Sequence, residues 1–276
     1  MGLPAIPLLL LALAQGSWGP IRTALPPVLP LDKGFRDMYD LEFTTAHQVF
    51  QSYEQAHPDD PLGPTSDAAA YLFAEFDRLG VLQTELFLDD EKFKGRRKPT
   101  PDPATRGRFW AAIARSQKSA DTILQRSPRD GNALFATVLN LGMQSDYLAM
   151  VEKRDVAALS YTKRAGLTAK RLLAVDPECF DAYLAIGVEN YILGLNPAPV
   201  RWLLRLYGAE ADKELGIQKL QLTAEKGHYL LPFARLLLAV AALRDKHRDQ
   251  ARDLLQDLAR EFPHNQLYRR ELSRLP

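Results

Sequence analysis

Apolar residues recur at helical spacing from Leu31 to Pro276, and the strict alternation of a strand is rare. Proline and glycine fall between these periodic stretches, where they stop helices rather than interrupt them. The pattern predicts an all-α chain.

Four of the stretches end alike. Ala46, Phe50 and Tyr53 lead to Pro58; Ser116, Ala120 and Ile123 lead to Pro128. Ala165, Ala169 and Leu172 lead to Pro177; Ala251, Leu255 and Leu258 lead to Pro263. Steps of four and then three residues keep such side chains on one helix face. The small first residue lets a neighbouring helix approach, and the larger ones fill the groove beside it. A proline twelve residues after the first position ends the helix and turns the chain. A further stretch, Ala211 to Lys226, has Gly216 and Leu220 in register but His228 in the proline's place. The preceding partner helices carry weaker marks: Gly34, Leu141-Gly142, Tyr183 with Ile186 and Gly187, and Leu238-Ala239.

These residues resemble the tetratricopeptide repeat family, in about five helix pairs over Asp32–His264. The strongest local match is the closing stretch, Glu225 to Leu230, Ala234 to Ala239 and Gln250 to Asn265. Within the family the chain looks like degenerate bacterial extracytoplasmic members. The resemblance implies one α-solenoid domain over residues 32–276, a right-handed superhelix whose first helices line a concave face. It also implies a non-catalytic scaffold or adaptor of the cell envelope, binding a peptide or partner helix in that groove. Large polar or aromatic residues outside the packing pattern are the groove candidates: Asn140, Gln144 and Tyr147 in one first helix, Glu189, Asn190 and Tyr191 in another. Asn and Gln can pair with a peptide backbone. Capping or bridging of neighbouring helices by the same side chains is equally open.

Two insertions stand out. Asp89 to Pro103 carries an acidic run, Asp89-Asp90-Glu91, before a basic one, Lys92 to Lys98. It reads as a solvated loop, with the basic half able to grip a phosphate or acidic partner. Asn196 to Gly208 could form a short amphipathic helix, with Arg201, Trp202 and Arg205 as candidate contacts to a membrane surface or to the side of the helical stack.

The N-terminus predicts export to the periplasm or beyond. Ile6 to Ala14 is apolar and about 14 Å long as a helix, against about 30 Å of bilayer hydrocarbon. That suits a signal peptide over residues 1–14, or extending to 19, and Ala12-Leu13-Ala14 has the small-x-small form of a cleavage site. No basic residue precedes Ile6, and an uncleaved membrane tether is the alternative. Residues 20–31, with Pro26, Pro27 and Pro30, read as an extended leader.

Composition narrows the chemistry. The 35 basic and 34 acidic residues nearly cancel, so no global field draws nucleic acid. The single cysteine, Cys179, can form neither an internal disulfide nor a cysteine-based zinc site, and it reads as a small buried thiol. The histidines are scattered, and His57, His228 and His264 fall at predicted helix ends. Phosphate-binding glycine loops, nucleophile elbows and HExxH zinc signatures are absent. No cofactor or metal is implied. A hydrolase with a groove site near the acidic insertion, and a peripheral membrane protein using residues 196–208, stay open beside the protein-binding expectation.

Overall fold

The computed structural model describes residues 29–82, 95, 97–196 and 211–275. Among these residues the secondary structure is helical, with no strand. The helices are α1 (Asp32–Tyr39), α2 (Phe43–Ala56), α3 (Leu62–Leu79), α4 (Pro103–Arg126), α5 (Gly131–Met150) and α6 (Asp155–Leu173). They continue as α7 (Ala182–Gly194), α8 (Lys213–Lys226), α9 (Leu231–Arg244), α10 (Arg248–Glu261) and α11 (Gln266–Arg274). Each packs chiefly on its neighbours in the chain. Helices α1, α3, α5 and α7 also touch in succession, so the first members of the pairs share a layer. The signal-like segment, most of the leader, most of the charged part of the first insertion, and Arg201, Trp202 and Arg205 lie outside the described residues.

The predicted prolines sit in one recurring turn. The backbone N–H two residues after each proline donates to the carbonyl just before it: Asp60 to His57, Asp130 to Ser127, Cys179 to Asp176 and Asn265 to Phe262. At three of the four turns that same residue also accepts an N–H of the next helix, as the N-cap itself in Asp130 and Asn265 and from one place ahead of the N-cap Pro61 in Asp60. Asp60 Oδ1 accepts Leu62 N–H, Asp130 Oδ1 accepts Ala133 N–H, and Asn265 Oδ1 accepts Leu267 N–H. The proline stops one helix, and the acceptor two places on satisfies an orphan donor of the next. Helix α8 starts two residues later than the periodicity suggests. Asp212 takes the capping role there, accepting Leu215 N–H at 3.1 Å.

The repeated four-then-three spacing marks buried seams. Ala46, Ser116, Ala165 and Ala251, the small first positions, are all buried. Close approach is clearest where glycine permits it. A Cβ on Gly34 of α1 would meet the Phe50 ring of α2 at 2.3 Å, so glycine lets that ring seat. Gly187 and Gly216 face each other where α7 crosses α8, and a Cβ on Gly216 would lie 2.6 Å from the Tyr191 backbone nitrogen. Phe109 and Ile113 are buried in α4, and Trp110 packs against them as its helical spacing predicts.

Leu255 and Leu258 of α10 are 0% exposed. Replacing Leu255 with Ala should lower stability by about 2–5 kcal/mol in urea unfolding, the usual cost of removing a buried leucine side chain. A change near zero would mean that α10 does not use this face.

Candidate functional site

The ends of the helical row meet. The turn at Gly227–Leu230 lacks the proline of the other turns and is held by a buried carboxylate instead. Asp181, just before α7, accepts the N–H groups of His228, Tyr229 and Leu230 at 2.8–3.1 Å. Burial pushes its pKa up, against the downward pull of these donors. The turn so fixed presents Tyr229 to α1. Its ring stacks on Phe35 at 4.5 Å, and its carbonyl accepts the Tyr39 hydroxyl at 3.0 Å. His228 Nε2 lies 2.6 Å from Asp32 Oδ1. Farther along, Asn265 donates to the Tyr39 carbonyl, and His264 meets Asp40. Helix α1 therefore docks on the turns before α9 and α11.

Inside this curl lies a cavity of about 470 Å³ with an overwhelmingly apolar wall. All five first helices contribute to it. Their lining residues repeat one spacing: Thr65, Ala69 and Leu72 on α3; Val138, Gly142, Ser145 and Ala149 on α5. Helices α7 and α9 repeat it with Leu184, Val188, Tyr191 and Leu195, and with Phe233, Leu237, Val240 and Arg244. Helix α1 adds Phe35, Met38 and Tyr39, and α6 closes one side with Ala158, Leu159 and Thr162. Gly142 leaves open space, since a Cβ there would meet nothing within 4 Å. Leu159, Ile192 and Leu195 line the cavity and are also exposed to solvent, which puts its mouth between the start of α6 and the end of α7.

Most polar side chains in the wall are occupied within the protein. Thr65 bonds Pro61 O and Ser116. Ser145 donates to Ala158 O and meets Thr162 at 2.7 Å. Asp146 differs. It lines the cavity as a partly buried residue, and burial raises its pKa from 3.8 to about 7. Among the described residues, no cation or hydrogen-bond donor pulls it back.

The sequence-derived groove candidates divide accordingly. Tyr191 lines the cavity. Asn140 and Gln144 are buried on the opposite side of α5, where Asn140 donates to Ser116 Oγ at 2.7 Å and Gln144 to Asn140 O. Tyr147 is buried and stacks on Phe109 at 4.9 Å. Glu189 and Asn190 are buried too, with the Glu189 carboxylate seated over Gly166 of α6. Asn140, Tyr147 and Glu189 bridge helices. The cavity face is turned away from them, on an apolar stripe that includes Gly142. A second apolar stripe on each first helix was the available signal. Cys179, half-buried beside this region, has its thiol pushed up to about 12, chiefly by burial, which leaves it a poor nucleophile.

No known protein family matches the chain, and no curated protein matches it.

Two measurements probe this region. Asp181→Ala would leave three N–H groups of the closing turn without their acceptor, and should cost ~3 kcal/mol or more in denaturant unfolding. Asp146 makes stability pH-dependent. Its folded pKa lies above its unfolded value, so between about pH 4 and 7 the folded chain holds a proton that the unfolded chain has lost. Stability thus falls as pH rises through that window, by on the order of 2–4 kcal/mol. Asp146→Asn should raise the melting temperature by several degrees at about pH 8 and change it little at about pH 4. Equal shifts at both pH values would show that Asp146 does not titrate as stated.

Proposed function

We propose that this chain is a non-catalytic binding protein that holds a hydrophobic guest inside its curl. The observation that carries the reading is the apolar cavity of about 470 Å³, lined by the first helix of every pair. The volume lies within the range of about 300–1,000 Å³ in which proteins bury small ligands. An apolar cavity of roughly 150 Å³ takes one benzene ring, so about 470 Å³ has room for roughly eighteen carbons.

The wall bears on which guest fits. An extended peptide brings an N–H and a C=O per residue, each costly to bury without a partner. Most polar side chains in the wall are already bonded internally. A hydrocarbon chain needs no such partners. A partner helix satisfies its own backbone, and the exposed Leu159, Ile192 and Leu195 at the mouth favour it as the second reading.

The recurring spacing and the inner layer of first helices support kinship with tetratricopeptide repeat proteins, with the row read as a solenoid closed on itself. The apolar segment Ile6 to Ala14 supports placing the protein in the cell envelope.

Gly142→Phe tests the reading. Its side chain has open space to enter, and replacing a mid-helix glycine should not weaken α5. The parent should enhance the fluorescence of an environment-sensitive apolar dye, and unlabelled alkanols should displace it. The variant should keep its helical circular dichroism and lose roughly tenfold or more in dye affinity. Unchanged affinity would rule the cavity out. Displacement by an apolar helical peptide but not by alkanols would favour the partner-helix reading.

A further inference from the structure

We propose that the guest is a single-chain amphiphile with a cationic head, and that Asp146 is the residue that selects it. This rests on the hydrophobic-guest reading and adds the chemistry of the guest's polar end.

Thr65, Ser145 and Thr162 bond within and between helices, and Asp181 is spent on three backbone N–H groups. Asp146 has neither a hydrogen-bond donor nor a cation among the described residues, although it is embedded in the wall of a large apolar cavity. Such a group costs stability unless a ligand completes it. A carboxylate only accepts hydrogen bonds, so the complement is a donor, and a protonated amine is the strongest.

The surroundings favour the same sign. Of the exposed apolar rim, Ile192 and Leu195 lie at the C-terminal end of α7 and Leu159 near the N-terminal end of α6; Asp146 lies toward the C-terminal end of α5, and Arg244 marks the C-terminal end of α9. Helix C-termini carry partial negative charge and attract cations. Asp155, exposed at the start of α6, adds a second carboxylate at the mouth. Opposing them are the N-terminal end of α6 and Arg244, which also line the cavity and would instead attract an anionic head. The remaining titratable groups in the wall are Tyr39 on α1 and Tyr191 on α7.

The hydrocarbon tail then fills the apolar interior while the head sits near Asp146, below the rim. A fatty acid would place its carboxylate against Asp146, and a plain alcohol would offer a donor without charge.

The experiment compares n-dodecylamine, n-dodecanol and dodecanoate, each below its micellar concentration, by calorimetry on the full chain. The parent should bind the amine roughly tenfold or more tightly than dodecanoate, with the alcohol between them. Asp146→Asn should bring the amine down to the alcohol and leave the alcohol unchanged. Gly142→Phe should weaken all three. If dodecanoate binds the parent as tightly as the amine, or if Asp146→Asn keeps the amine preference, the assignment of Asp146 is overturned and the hydrophobic-guest reading stands. If none of the three binds the parent, the hydrophobic-guest reading falls, and the assignment of Asp146 with it.

Discussion

The whole arrangement depends on one buried carboxylate. Asp181 gathers the N–H groups of His228, Tyr229 and Leu230, and the turn so held receives α1. Without that contact the inner stripes of α3, α5, α7 and α9 would form a continuous apolar face open to water, a surface that folded monomers rarely carry. With it, Tyr229 bridges Phe35 and Phe135, and the two ends of the row enclose a space instead of presenting a groove. Burial keeps the Tyr39 hydroxyl protonated, so its bond to the Tyr229 carbonyl persists across ordinary pH.

The helical content and the seams were legible in the sequence because they follow from local rules. Ala251, Leu255 and Leu258 announce a packed face by spacing alone, and Pro263 announces the turn. The acceptor two residues after each proline was equally readable in Asp60, Asp130 and Asn265, since an acceptor before a helix has a known use. The inner face was not read. Asn140, Gln144, Glu189 and Asn190 stand out as polar residues in apolar helices, yet they are buried within the packed helices, and the Asn140 amide donates to Ser116 Oγ. Where these side chains point depends on how each helix is rotated against its neighbours, and that is a tertiary property. Helices α7 and α9 are apolar nearly all round, the mark of a helix covered on both sides. The meeting of α1 with Tyr229 had no local signal, because residues about 190 apart in the chain must come together.

Polar groups in the interior fall into two kinds. Thr65, Ser116 and Asn140 form a connected set across α3, α4 and α5, and Ser145 with Thr162 ties α5 to α6. Hydrogen-bonded sets of this kind fix how helices are rotated relative to one another. Asp146 belongs to neither network. A leucine there would be more stable, so a carboxyl at that position is a stability cost of the kind that accompanies binding function.

The recurring turn has a consequence for how the molecule assembles. Each proline turn carries its own hydrogen bond and, at three of four sites, its own side-chain acceptor for the next helix, so neighbouring helices can form and pair without waiting for distant parts of the chain. Contacts of this short range fold fast. The bonds from Tyr39 to Tyr229 and from Asn265 to Tyr39 span 190 and 226 residues. They must overcome the entropy of closing a very long loop, and that closure is the slow kind of step. The row of pairs is thus expected to form first as an open strip, and the enclosed interior comes into being only at the end of folding.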